Sequence, residues 1–227
     1  MSTVESQTVS RYLEAIYYID AEGERVKAAR LAEWLGVSQP TAGATLQRMV
    51  RDGLVQISGI KDVSLTARGR DTAAAVVRRH RVAERWLTDV LGLDWLAADE
   101  EAGRLEHALS DAVTDRLYKL IGEPRTCPHG NPIPGLQPPY DRTKLVTLSE
   151  LKVGEWGRLS LLTEDVELVT DVLAYFEEKH LMPGASIEVT GIGPDGTLTL
   201  QVDGTGASLG SNLADNLWVL PQEAPQA

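Results

Sequence analysis

Apolar positions in the first seventy residues recur with the period of helices and then with that of a short hairpin. Residues 8–20, TVSRYLEAIYYID, place Val9, Tyr12, Leu13, Ile16, Tyr17 and Ile19 at helical spacing, which predicts a first helix. From Arg30 to Arg51 the pattern is that of two short helices joined by a tight turn. Leu31, Trp34, Leu35 and Val37 close the first around Gly36, Ser38 stands as N-cap of the second, and Pro40 suits its first turn. Leu46, Met49 and Val50 form the inward face of that second helix, leaving Gln39, Thr41, Thr45 and Arg48 outward. This predicts a helix-turn-helix, whose second helix presents small and hydrogen-bonding side chains to base edges. Leu54–Ile57 and Val63–Leu65, joined by a turn from Ser58 to Asp62, predict a hairpin wing with Lys61 at its tip, placed for phosphate.

Thr66 caps a long helix in which Ala74, Val77, Val82, Trp86, Leu87, Val90 and Leu91 make an apolar band too large for a small winged domain to cover. A second long helix, from about Asp99 to Ile121, carries Ala102, Leu105, Leu109, Val113, Leu117 and Leu120. The pair predicts a dimerisation module, and a homodimer would set two recognition helices about one DNA turn apart on a palindromic operator. Residues 122–142 hold six prolines and three glycines, so neither helix nor central strand is expected there. Beyond them Leu145–Leu148, Trp156–Leu162, Ser186–Thr190, Thr197–Val202 and Asn216–Leu220 read as strands, with one helix over Glu164–Lys179 and turns at Gly191–Gly196 and Asp203–Gly206. The expected fold is mainly α with small β. It comprises a winged helix-turn-helix domain over 1–70, a helical dimerisation domain with a Pro-rich linker over 71–143, an SH3-like β-barrel over 144–220 and a flexible tail over 221–227.

The net charge of −11 argues against nucleic-acid binding until its distribution is read. Residues 25–70 hold eight Lys and Arg against three acids, so a basic segment rides on an acidic body. The single cysteine, Cys127, excludes an intrachain disulfide and suits a reducing cytoplasm. No 18-residue apolar window exists, which predicts no membrane association. Neither His-Glu-x-x-His nor a nucleophile elbow is present, so no enzyme is expected. The side chains expected on double-stranded operator DNA are Ser38, Gln39, Pro40, Thr41, Thr45 and Arg48, with Arg30 and Lys61 on phosphates. Gln39 can pair with adenine, and Pro40 and Thr41 can meet thymine methyls.

His80 and Glu84 stand four apart on the first long helix and so share a face. On the second, Asp99, Gly103, Glu106 and His107 return to one side. Imidazole with carboxylate suits Mn, Fe, Co, Ni or Zn, and the lack of thiolate in this set favours the harder end of that range. Cys127 and His129 in CPHGNP form a metal-like pair, insufficient without further ligands close by.

The succession of helix, SQPTAGATLQRMVRDGLV, wing, LTARGR, RRHRVAERWLTDVLGL, RLEHALSD and HGNPIPG resembles the DtxR/MntR family of metal-activated transcriptional repressors over nearly the whole chain. RHRVAER, LEHALSD and GNPIPG are its most specific parts. The resemblance implies repression of metal-homeostasis genes, with Mn or Fe as corepressor and Co, Ni or Zn as substitutes in vitro. It places an ancillary metal site on His80, Glu84 and Asp99, joined by a carboxylate such as Glu167 or Asp171. A regulatory site falls on Glu106 and His107, with Glu14 as a third ligand. Two positions depart from the family pattern: Arg11 stands where members have Met or Asp, and Gly103 where they have Cys or Glu. Two readings follow: Arg11 pairs with Glu14 and Glu106 where a metal would sit, or the ancillary site of His80, Glu84 and Asp99 does all the sensing. The alternative function is a winged-helix regulator whose metal switch is degenerate, binding DNA without metal or answering another ligand.

Overall fold

A computed structural model describes residues 7–59, 62–136, 141–167 and 169–224. The chain divides into two units, Met1–His80 with Gly103–Asp111, and Arg81–Ala102 with Ala112–Ala227.

In the first unit, α1 (Gln7–Ala21), α2 (Ala28–Trp34) and α3 (Gln39–Arg51) precede an antiparallel hairpin of β1 (Val55–Ser58) and β2 (Asp62–Leu65), with Val55 opposite Leu65 and Ser58 opposite Asp62. α1 buries Val9, Leu13, Ile16 and Ile19 at the predicted spacing, against Leu31, Leu46, Met49, Leu54 and Val63. α3 buries Ala42, Leu46 and Met49, while Val50 is exposed and not on the inward face expected of it. α4 (Ala67–Asp89) starts where Thr66 Oγ1 accepts from the Gly69 amide at 3.0 Å. The wing turn at Lys61 lies outside the described residues.

The predicted second long helix is two helices, α5 (Trp95–Leu105) and α6 (Asp111–Leu120). A distant side chain spans the break. Arg79 Nε donates to the Glu106 carbonyl at 2.7 Å, and its Nη1 meets Asp111 Oδ1 at 3.2 Å. Arg79 thus ties the last turn of α5 to the start of α6, and Asp111 starts that helix with an acid suited to its N-terminal dipole.

In the second unit, six strands lie antiparallel in the order β3-β8-β4-β5-β6-β7: β3 (Val146–Thr147), β4 (Trp156–Leu162), β5 (Ser186–Ile192), β6 (Leu198–Val202), β7 (Thr205–Leu209) and β8 (Leu217–Gln222). β3 and β7 are the outer strands, and β7 occupies residues the sequence assigned in part to a turn. Asp203, at φ 47°, and Gly204, at φ 85°, make the two-residue reversal before it. The helix expected over Glu164–Lys179 is divided into α7 (Glu164–Glu167) and α8 (Thr170–Glu178). Leu159, Phe176, Ile187, Leu200 and Val219 centre this core. Val90, Leu91, Val113 and Leu120 are exposed, which leaves apolar surface on the helical segment. No helix among the described residues is long and apolar enough to cross a membrane.

Candidate metal centres and DNA-reading helix

Within the Pro-rich stretch, residues 127–131 are irregular, as the composition demands, but buried. Cys127 N donates to the Asn131 carbonyl at 2.8 Å and Gly130 N to the Cys127 carbonyl at 3.1 Å, making a tight loop. Leu162 N donates to the His129 carbonyl at 2.9 Å, so the loop lies along the end of β4. Only glycine fits at position 130: its φ is +89°, and a Cβ would stand 2.0 Å from the Ser160 carbonyl oxygen.

This loop buries Cys127 and His129 beside Glu84 of α4, and their ligand atoms lie within 4.8 Å of one another. His129 Nδ1 is 3.0 Å from Glu84 Oε1 and 3.4 Å from Glu167 Oε2 on α7, with the imidazole fully buried against the Trp95 ring. Glu84 Oε1 and both His129 nitrogens are buried and make no well-aligned hydrogen bond among the described residues. Buried carboxylate, imidazole and thiol groups this close together suit a shared cation.

Charge supports the same reading. Burial opposes protonation of His129, but the Glu167 and Glu84 carboxylates outweigh it and hold the imidazolium well above its ordinary pKa. Burial, then the nearby Glu84, pushes the Cys127 thiol up. In the metal-free chain a proton on His129 is therefore the cation of this cluster, and a divalent ion would displace it and take the thiolate. The sequence left Cys127 and His129 without further ligands. The structure brings Glu84 and Glu167, each about forty residues away, to them, and adds sulfur to a donor set read as lacking it. The local signal was the Cys-x-His spacing; the partners were invisible because they are remote in sequence.

A second cluster forms within the first unit. Glu14 is buried on α1 and shares a hydrogen bond with Glu106. His80 Nδ1 is 2.8 Å from Glu106 Oε2, and His107 Nε2 is 3.3 Å from Glu106 Oε1. Burial first, then the Glu106 charge, raises the Glu14 carboxyl to about 8, with His80 and Arg79 pulling the other way. Arg11 is exposed on α1, so the guanidinium beside this cluster is that of Arg79, not the one expected. Gly103 offers no side chain, and a Cβ there would meet nothing within 4 Å. Among the remaining candidates, Glu84 and Asp99 bring carboxylate oxygens within 4.8 Å of each other. His80, one helical turn before Glu84 on α4, places its Nδ1 on Glu106. Asp171, the other carboxylate considered, lies in the first turn of α8.

On α3, Ser38 Oγ accepts from the Thr41 amide at 3.3 Å and lies 2.8 Å from Thr41 Oγ1, so the two hydroxyls present together. Gln39, Pro40, Thr41 and Arg48 are exposed and Thr45 is half-buried. Gln47, which the sequence reading passed over, is exposed on the same helix. Arg30 stacks over Trp34 at 5.1 Å and reaches Glu24 at 3.4 Å.

A reading helix on a winged fold, followed by clusters of imidazole, carboxylate and thiol, defines a metal-responsive DNA-binding regulator. Profiles of the iron dependent repressor match residues 6–63 (N-terminal DNA binding domain) and 66–135 (metal binding and dimerisation domain), and that of the FeoA domain matches 146–221. The chain belongs to the iron-dependent repressor family, the DtxR/MntR group that its motifs resemble. It is 40% identical over 206 residues to the iron-dependent repressor IdeR of Mycobacterium tuberculosis, covering 87% of this chain and 89% of that one. It is 35% identical over 221 residues to the diphtheria toxin repressor of Corynebacterium diphtheriae, covering 92% and 95%. Among solved structures, a manganese-dependent transcriptional repressor in complex with manganese superposes with a TM-score of 0.80 at 30% identity, over 94% of this chain and all of that one.

Proposed function

We propose that this protein is a divalent-metal-activated repressor that binds palindromic operator DNA as a homodimer and controls metal-homeostasis genes. One observation carries the reading: the buried convergence of Glu84, Cys127 and His129, with the Glu167 carboxylate 3.4 Å from the His129 ring. The donor set of thiolate, imidazole and two carboxylates fits a divalent transition ion, and the thiolate extends the range from Mn and Fe toward Zn and Co. Such an ion supplies positive charge in the place of the His129 proton. His129 and Glu84 would hold it, Cys127 would lose its proton to it, and Trp95 keeps water from the ring edge. Glu14, His80, Glu106 and His107 form the second set of ligands, linking α1 to the α5–α6 turn, while Asp99 stands beside Glu84. Val90, Leu91, Val113 and Leu120 supply apolar surface for the dimer, and the exposed α3 side chains, with Arg30 and Lys61, face DNA.

The degenerate-switch alternative rests on Gly103 and on the Glu14–Glu106 hydrogen bond, which joins α1 to the turn without any ion. Titration of operator DNA from the protein's own upstream region decides between the two, in chelator, Mn(II), Zn(II) or anaerobic Fe(II) at one fixed salt concentration. Tightening of about tenfold or more with metal, roughly 1.4 kcal/mol of coupling, is expected. Equally tight binding in chelator would overturn the corepressor reading.

A further inference from the structure

Asn131 follows the proposed ligands Cys127 and His129 in the buried loop and is itself fully buried. Its amide is used on both sides. Nδ2 donates to the Leu162 carbonyl at 2.9 Å and to Glu167 Oε1 at 2.8 Å, while Oδ1 accepts from Arg142 Nη2 at 3.2 Å. A guanidinium has only donors, so the Arg142 contact settles which end of the amide faces Glu167. With Oε1 tethered in this way, the other oxygen of Glu167, Oε2, is the one that faces His129 Nδ1 at 3.4 Å.

From this geometry we infer that Asn131 is a positioning residue for the metal centre: its amide, oriented by Arg142, holds the Glu167 carboxylate with one oxygen turned to the ion. The inference rests on the reading of Glu84, Cys127, His129 and Glu167 as a metal site. α7 is a four-residue helix and cannot fix a glutamate side chain by itself, so the loop that carries two ligands also aims the third. Arg142 closes the far end of the Pro-rich stretch, and its bond to Asn131 makes the seating of that stretch part of the site. Removing groups that orient metal ligands typically costs 10–100-fold in metal affinity.

The test is a Co(II) titration of the full chain, read by the near-ultraviolet sulfur-to-cobalt charge-transfer band that only a Cys127 ligand can supply. Wild type is compared with Asn131→Ala, Glu167→Gln and the double variant, and far-UV circular dichroism of each metal-free protein checks the fold. Asn131→Ala is expected to weaken Co(II) 10- to 100-fold while keeping the band. The double variant is expected to bind no more weakly than Glu167→Gln alone, because Asn131 acts through that carboxylate. Additive losses would mean that Asn131 only supports the loop, and would overturn the inference. Arg142→Gln leaves the Leu162 contact intact and repeats the cycle if Asn131→Ala does not fold; it too must lose nothing further on Glu167→Gln. Absence of the band in wild type would overturn the underlying metal site, a failure distinct from additivity.

Discussion

Replacing Glu14 by glutamine tests whether a proton occupies the first-unit cluster in the metal-free protein. The carboxyl has a pKa of about 8 in the folded chain and an ordinary value of 4.5, with burial as the largest cause and Glu106 the next. Below pH 4.5 it is protonated whether the chain is folded or not, and pH has no effect through it. Between 4.5 and 8 the folded state keeps a proton that the unfolded state has released, so rising pH favours unfolding. Each pH unit costs about 1.4 kcal/mol, which accumulates to about 3 kcal/mol by pH 7. Glutamine donates to Glu106 as the protonated acid does, but never titrates. Urea denaturation in chelator, followed by circular dichroism from pH 4.5 to 8, should therefore show Glu14→Gln equal to wild type at the acid end and more stable by about 3 kcal/mol at pH 7. In wild type, an ion binding Glu14 below pH 8 also expels that proton, which a weakly buffered titration measures. Parallel stability curves for the two proteins would show that Glu14 titrates ordinarily and would refute the argument.

Three further outcomes follow from the same structure. Gly103→Glu has open space for its side chain near Glu106 and His107, and should tighten Mn(II) at least tenfold by calorimetry while stabilising α5 by up to about 1 kcal/mol; unchanged affinity would separate position 103 from the centre. Gly130→Ala drives a Cβ into the Ser160 carbonyl and should destabilise the second unit by more than about 2 kcal/mol and abolish the Cys127–cobalt band, so a wild-type melting curve would contradict the tight seating of the loop. His180 ends α8 with φ at 57°, so His180→Gly should raise stability by about 1 kcal/mol in urea denaturation, and a loss would show that its imidazole contributes more than its backbone costs.

The parts legible in the sequence were those set by neighbours in the chain. The period of α1, the Ser38 cap and Thr66 at the head of α4 are all local, and each stands where the residues placed it. The break at Glu106 was hidden because the side chain that spans it, Arg79, lies 27 residues away. Composition denied regular structure to residues 127–131, yet the seating of that loop depends on Ser160 and Leu162, which no local pattern reveals. Arg11 and Arg79 show the same limit. Both are cations within reach by sequence argument, but helical phase leaves the first in solvent and packing brings the second to Glu106.

A chain with one cysteine has no disulfide with which to cross-link itself, and a metal ion held by the proposed Glu84–Cys127–His129–Glu167 site would supply what that bond would have given. Its members lie about forty residues apart on either side of the loop, so an ion there closes two long loops at once. Each closure of that length removes about 4 kcal/mol of conformational freedom from the unfolded chain. Such a cross-link is one that the surrounding solution would fasten or release, so the protein's resistance to unfolding would become a record of how much metal is present.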